Sequence, residues 1–246
     1  MDKKLISVII PTYNRGARLL DCLNSILNQD YDLIEIIIVN DGENFSSLFL
    51  EELVSGSDVS IKIIENKYNM GACMSRNIGI IQASGFYITL CDDDDLFKPN
   101  RLSSLLNKLE SISNKGVFSD TFVKDNSSER ITKLPNSINL NKILYGNYSG
   151  AQIFSEASLM KDILFDRRFL ASQDHDFNTR FIQKYGKLVK TDNPTYVSVQ
   201  HDDLNRVSNQ VLIGRLQYYL KFKKIMSFKH KMSFWFKISF KFLFKI

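Results

Sequence analysis

Four consecutive carboxylates, Asp92, Asp93, Asp94 and Asp95, stand directly behind the apolar run FYITLC. Adjacent like charges raise one another's pKa unless a cation or donors compensate them, so four at a strand end imply a counter-charge. In an extended segment residues two apart share a direction, which turns Asp92 and Asp94 toward one ion and Asp93 elsewhere. Ligands that are all oxygen select a hard divalent cation, Mg2+ or Mn2+, which keeps water or substrate phosphates in its other positions. The plainer alternative is a solvated acidic turn in which Asp95 caps the next helix and Pro99 occupies its first turn. The position at a strand end favours the cation. A calcium EF-hand is excluded, because counting from Asp92 puts Phe97 where glycine is needed and Ser103 where glutamate is needed.

Such a cluster needs a rigid frame, and 246 residues with 44% hydrophobic content suffice for a buried core. LISVII and LIEIIIVN are short, β-branched and apolar throughout, as strands buried on both faces of a parallel sheet are. Between them Leu19, Leu20, Leu23, Ile26 and Leu27 recur at helical spacing. The alternation continues with strands over 34–40, 61–65 and 86–91 and helices near 46–53, 70–82 and 100–110. This predicts an α/β chain on a single parallel sheet. From Gly116 to about Gln200 the pattern predicts an irregular, mixed half packed on the same sheet, with strand candidates GVFSDTFV, AQIFS and KLVK and a helix at DHDFNTRFIQKYG. In open parallel sheets ligands bind beyond the carboxyl ends of the strands. PTYNR follows the first strand, NDGE the second, ENKYNMG the third and DDDD the fourth, so every polar cluster falls on one edge.

Cys22, Cys73 and Cys91 lack zinc or redox spacing and read as free thiols of a reducing cytoplasm. The apolar stretch Leu5 to Ile10 is too short for a signal-peptide core and precedes a proline, which predicts a buried strand and a protein kept inside the cell. No uncharged apolar run reaches the length of a membrane-spanning helix. A P-loop and a G-x-G-x-x-G fingerprint are both absent, which disfavours NTPase and dinucleotide chemistry. All 27 acidic residues lie at or before Asp203, and ten of the 32 Lys and Arg follow it, so residues 1–203 carry −5 and the remainder +10. Two regions with different partners follow: a catalytic domain over 1–203, divided near residue 115, and a basic aromatic tail over 204–246.

The segments SVIIPTYNR, IIIVNDGE, NMGACMSRNIGI, GFYITLCDDDDLFKPNRL and SQDHDFNTRFIQKYG, in this order, resemble the inverting nucleotide-sugar glycosyltransferases of family two, which have the GT-A fold. The resemblance covers roughly residues 5 to 186. It implies a Rossmann-like, mostly parallel central sheet whose first half, 1–115, binds the nucleotide sugar and whose second, 116–203, binds the acceptor. Pro11, Thr12, Tyr13 and Asp41 would then line the nucleoside pocket, Tyr13 stacking on the base and Asp41 accepting the imide N–H of uracil; the plainer alternatives are a core aromatic at Tyr13 and a turn residue at Asp41. Gly71 would let the backbone approach the donor, and Arg76 would face the diphosphate or the acidic run. By the same resemblance Asp94 and Asp92 are metal ligands, Asp93 meets the ribose hydroxyls, and His201 touches metal or diphosphate. Asp174 would be the general base, the plainer alternative being a helix cap, with Gln173 standing where an acid is usual. The cofactor is Mn2+ or Mg2+ and the donor a nucleoside-diphosphate hexose, by family habit a UDP-sugar. His175 and His230 read as incidental.

The tail interleaves Lys with Phe, Trp and Tyr. As a helix it presents Lys237, Lys241 and Lys245 as one stripe that would lie in a membrane interface; as a strand its aromatics would share one face, and periodicity does not separate the two. Helix is preferred, because nothing obvious pairs with such a strand. The expected partners are therefore a sugar-nucleotide donor, a glycan or lipid-linked acceptor and an anionic membrane surface at the cytoplasmic face, with no nucleic acid. Two competing readings are a sugar nucleotidyltransferase, for which PTYNRGARLL is a poor phosphate loop, and an inactive domain that binds sugar nucleotide or membrane.

Overall fold

The computed structural model describes residues 3–42, 59–125, 128–200 and 208–244. Strand β1 (Ile6–Thr12) is followed by α1 (Gly16–Leu27), β2 (Ile34–Asn40), β3 (Ser60–Glu65), α2 (Ala72–Gln82) and β4 (Tyr87–Leu90). Every residue of β1 and β2 is buried, as their unbroken apolar sequence requires of strands covered on both faces. The four strands lie in the order β3-β2-β1-β4, all parallel. The helix expected near 46–53 lies outside the described residues.

The remaining elements are β5 (Asp95–Phe97), α3 (Arg101–Glu110), β6 (Gly116–Phe118), β7 (Thr121–Lys124), β8 (Glu129–Thr132), β9 (Ser137–Ile138), α4 (Leu140–Ile143), β10 (Phe154–Glu156), α5 (Ala157–Ile163), α6 (Gln173–Tyr185), β11 (Leu188–Lys190), β12 (Tyr196–Val199), α7 (Ser208–Phe222) and α8 (Phe228–Phe244). The sheet is parallel through its first half and mixed where the second half joins it, as expected. β10 enters antiparallel between β4 and β6, and the eight strands run β3-β2-β1-β4-β10-β6-β11-β9. A second sheet, β5-β12-β7-β8, joins residues 95–97 to strands of the second half. The segment GVFSDTFV therefore divides between two sheets. It breaks at Ser119 and Asp120, where buried Arg101 donates to the Ser119 hydroxyl and Lys190 donates to the Asp120 carboxylate.

Two apolar layers sandwich the main sheet. One joins Leu19, Leu23 and Ile26 of α1 to Leu102 and Leu105 of α3; the other joins Ile80 of α2 to Met160 of α5 and Phe177 and Phe181 of α6. Glu35 lies buried at the opposite end of the sheet from the acidic run, where it accepts from Ser7 Oγ, Ser84 N, Ser84 Oγ and Gly85 N and fastens the entry to β4.

The tail is helical, in two pieces. Its inner face packs on the domain through Tyr218, Phe222 and Met226, which form a third cluster with Leu144 and Phe169. Lys221 bridges Asp166 and the fully buried Asp176. The proposed cationic stripe is not a free face where it is described, because Lys237 Nζ donates to the Tyr145 carbonyl. Lys241 and Lys245 have no described side chains. The exposed face of α8 carries Phe228, Met232, Trp235 and Phe236 instead, at spacings of one helical side. His175 and His230, expected to be incidental, are clasps: His175 stacks on Tyr218 and meets the Ile143 carbonyl, while His230 meets the Asn141 carbonyl and the ring of Tyr145.

Candidate active site

β1 runs to Thr12, whereas its neighbour β4 pairs only as far as Leu90 opposite Ile9. The chain beyond β4 therefore bends across the open end of β1. It does so as a turn in which Asp95 N donates to the Asp92 carbonyl at 3.0 Å. The alternation expected of an extended segment fails here, and Asp93 faces the same cleft as Asp92 and Asp94. That cleft, of about 280 Å3, is also lined by Pro11, Thr12, Tyr13, Arg15, Asp41 and Arg76.

The counter-charge implied by the aspartates is supplied by arginines. Arg15 reaches Asp93 Oδ1 at 3.4 Å and also pairs with Asp94. Arg76 donates to Asp92 Oδ1 at 2.7 Å and, through its other terminal nitrogen, to Gln173 Oε1 at 2.9 Å. Burial works against the Arg76 charge, but the Asp92 carboxylate outweighs it and the pKa is raised. A third, fully buried guanidinium, Arg101, lies against the rings of Phe97 and Tyr196 behind the turn. Asp93 accepts from Thr12 Oγ1 at 2.7 Å, and burial raises its pKa. Asp95 does not cap the helix that follows. It starts β5, accepts from the Tyr196 hydroxyl and Val199 N, and is pushed up to about 7 by burial and then by Asp92.

Tyr13 is 51% exposed at the cleft mouth, which removes the alternative of a core aromatic. Asp41 is buried at the cleft floor, where Oδ1 accepts from Asn66 Nδ2 and Met70 N and Oδ2 from Gly71 N, each at 2.7 Å. Three of its roughly four lone-pair sites are engaged, leaving one toward the cleft. Gly71 adopts a φ of +80° at the start of α2, a conformation that side chains disfavour. Its N–H donates to Asp41, which ties the glycine to this turn.

Asp174 stands in the first turn of α6, behind Ser172 in left-handed conformation at φ 59°. Its Oδ1 accepts from His175 N at 2.9 Å and its Oδ2 from Asn147 Nδ2 at 2.6 Å. A depression of about 310 Å3 is lined by Asp174 together with Asp92 and Asp94. The two acid groups thus share one space, although 80 residues separate them in sequence. His201 lies outside the described residues.

Sequence reasoning missed Arg15, Asn147 and the task of Gln173. Arg15 had a signal, being a cation behind the first strand on the edge that carries the acidic run. Asn147 had none, because it reaches Asp174 only through the tertiary fold. Carboxylates able to hold a hard cation, an exposed ring and a buried acceptor in one cleft, and a partly solvated carboxylate in the adjoining depression together suit the transfer of a group carried on an anionic leaving group.

The comparisons agree with this. A family model described as Glycosyl transferase family 2 matches residues 7–169. The putative colanic acid biosynthesis glycosyl transferase WcaA of Escherichia coli (strain K12) is 32% identical over 227 residues, covering 89% of this chain and 81% of its own. Glycosyltransferase GlyG of Streptococcus pneumoniae serotype 4 is 36% identical over 107 residues, covering 44% of this chain and 36% of its own. Among solved structures, S. aureus TarS 1-349 in complex with UDP-GlcNAc superposes with a TM-score of 0.69 at 20% identity, covering 82% of this chain and 60% of that one. The same TarS segment in complex with UDP gives 0.68, with 86% and 65% covered. The chain thus spans about a third of GlyG and under two thirds of the TarS segment, and the likeness to TarS carries the GT-A fold. With the match to WcaA extending over nearly all of its length, this chain belongs to glycosyl transferase family 2.

Proposed function

We propose that the chain is an inverting, metal-dependent hexosyltransferase that moves a sugar from a nucleoside diphosphate, a UDP-sugar by preference, to a hydroxyl of a lipid-linked glycan in polysaccharide assembly at a membrane surface. One observation carries the reading: the depression shared by Asp174, Asp92 and Asp94 joins a candidate base to a candidate diphosphate site. The UDP-GlcNAc and UDP complexes of TarS support a nucleotide-sugar donor, and the name of WcaA supports a polysaccharide product.

The donor set fits a divalent ion. Among the described residues no three His, Cys, Asp or Glu side chains converge into a metal site of their own. One or two carboxylates completed by substrate phosphates is the habit of Mg2+ and Mn2+. Asp94 and Asp92 would hold the ion, Asp94 exchanging its Arg15 partner for it. When bound it supplies positive charge against the departing diphosphate. Tyr13 stacks on the base while the remaining Asp41 lone pair takes an imide N–H. Arg76 keeps the acidic turn registered with α6 through Gln173, which needs no charge for that task. Asp174 accepts the proton of the incoming hydroxyl as it attacks the anomeric carbon opposite the leaving group, and one displacement inverts the stereochemistry.

Membrane contact would use the exposed Phe228, Met232, Trp235 and Phe236 face of α8, with Lys223, Lys224 and Lys229 around it. Among the described residues no helix is long and apolar enough to cross a membrane. The reading is tested by a donor screen followed by nucleotide release. Mn2+-dependent release of nucleoside diphosphate that is lost in Asp94→Ala supports it; release of pyrophosphate would mean nucleotidyl transfer instead.

A further inference from the structure

A third cavity, of about 510 Å3, opens between α6 and the two C-terminal helices. Asp174 forms part of its wall and also of the depression shared with Asp92 and Asp94. Val211, Arg215 and Tyr218 reach it from α7 at spacings of four and three residues, and Phe234, Lys237 and Ile238 reach it from α8 at three and one. Each set lies on one side of its helix. The tail therefore bounds a space whose lining is as polar as it is apolar, with an apolar strip at Val211, Phe234 and Ile238 and with two cations. Lys237 has one donor fixed on the Tyr145 carbonyl. Arg215 makes no hydrogen bond or ion pair among the described residues. The cavity's one carboxylate is Asp174, and its histidine, His175, has a pKa lowered by burial. Two positive charges against one negative charge, beside the apolar strip of Val211, Phe234 and Ile238, suit an anion that carries hydrocarbon.

α7 is held firmly in this position. A side chain at Gly214 would come within 2.4 Å of the Ala171 carbonyl oxygen, so helix and loop touch backbone to backbone just ahead of Asp174. The wall that carries Arg215 is thereby fixed relative to the base.

We propose that this cavity is the acceptor site, and that it takes a sugar joined through phosphate to a hydrocarbon chain, with Arg215 holding the phosphate. The proposal rests on the reading of Asp174 as base and deepens it: the sugar hydroxyl meets Asp174, the phosphate meets Arg215 with Lys237 beside it, and the hydrocarbon leaves along Val211, Phe234 and Ile238.

The single tryptophan of the chain, Trp235, gives a direct readout, since its ring packs edge-on at 5.5 Å against Phe234 of the cavity wall. Full-length protein, its donor cleft filled with UDP and Mn2+, is titrated with farnesyl diphosphate, farnesol and inorganic pyrophosphate while Trp235 emission is followed. Farnesyl diphosphate is expected to give a saturable change that farnesol and pyrophosphate do not match. Its Kd rises at least about tenfold in Arg215→Ala, the loss of a charge-assisted contact, and Arg215→Lys restores most of it. Equal binding of farnesol would remove the phosphate from the proposal, and equal binding of pyrophosphate would remove the lipid. An unchanged Kd in Arg215→Ala would overturn the site altogether and leave the α8 surface as the lipid contact. UDP binding to the wild type is measured separately by calorimetry: if UDP does not bind, the donor reading fails, while the farnesyl diphosphate titration without nucleotide still decides the cavity.

Discussion

Replacing Asp174 with asparagine preserves the shape of the side chain and removes the proton acceptor. The wild-type carboxylate receives His175 N at 2.9 Å and Asn147 Nδ2 at 2.6 Å. An asparagine oxygen keeps the first of these bonds. Its amide then faces Asn147, whose own amide turns over to present oxygen. The fold therefore loses only the difference between a charged and a neutral hydrogen bond, about 1 kcal/mol at this half-buried position. The reaction loses far more. A positioned base contributes about 10^2 to 10^4 in rate, which is about 2.7 to 5.5 kcal/mol of barrier. With the donor and acceptor found by screening, kcat of Asp174→Asn is expected to fall by that factor. The UDP Kd stays within about twofold and the melting temperature shifts by only a few degrees. Transfer within about threefold of the wild type would refute the assignment. A parallel loss of UDP binding would show instead that Asp174 shapes the donor cleft.

Glu35→Gln turns an amide toward donors that now meet a carboxylate, and should destabilise the protein by about 2 to 4 kcal/mol in denaturant melts. Those donors hold the Glu35 carboxyl below its ordinary range despite burial, so its contribution is present above the unfolded pKa near 4.5 and is lost as pH falls through the lower folded value; the variant should flatten that acid slope. Gly214→Val must push α7 off the Ala171 carbonyl, at about 1 to 3 kcal/mol. Faster proteolysis of the tail with an unchanged UDP Kd is the expected result, and unchanged proteolysis would mean that the contact relaxes without undocking. Cys22, Cys73 and Cys91 are all buried, with the Cys73 thiol pushed up to about 11 and that of Cys91 also raised by burial. Maleimide labelling should therefore wait for unfolding, and rapid native labelling of any of the three would contradict this packing.

The sequence by itself determined the βαβ order, because buried parallel strands must be apolar on both faces and helices must be periodic. Through the carboxyl-edge rule it also determined which polar segments would meet. PTYNR, NDG and the aspartates are local signals, and each follows a strand whose end is visible in the chain. The geometry of the acidic run was not local. Whether Asp92 to Asp95 extend or turn depends on β4 ending before β1 does and on Tyr196 and Val199, from a distant strand, drawing Asp95 inward. Arg15 and Arg76 find their carboxylates, Cys22 comes within 3.5 Å of Cys91, and Asn147 finds Asp174 only once the sheet has closed. The tail shows the same division most plainly. Its composition made it basic and aromatic, but left helix and strand undivided and did not state which apolar side the domain will cover. Packing decided that, by placing Tyr218 on His175 and leaving Trp235 outside.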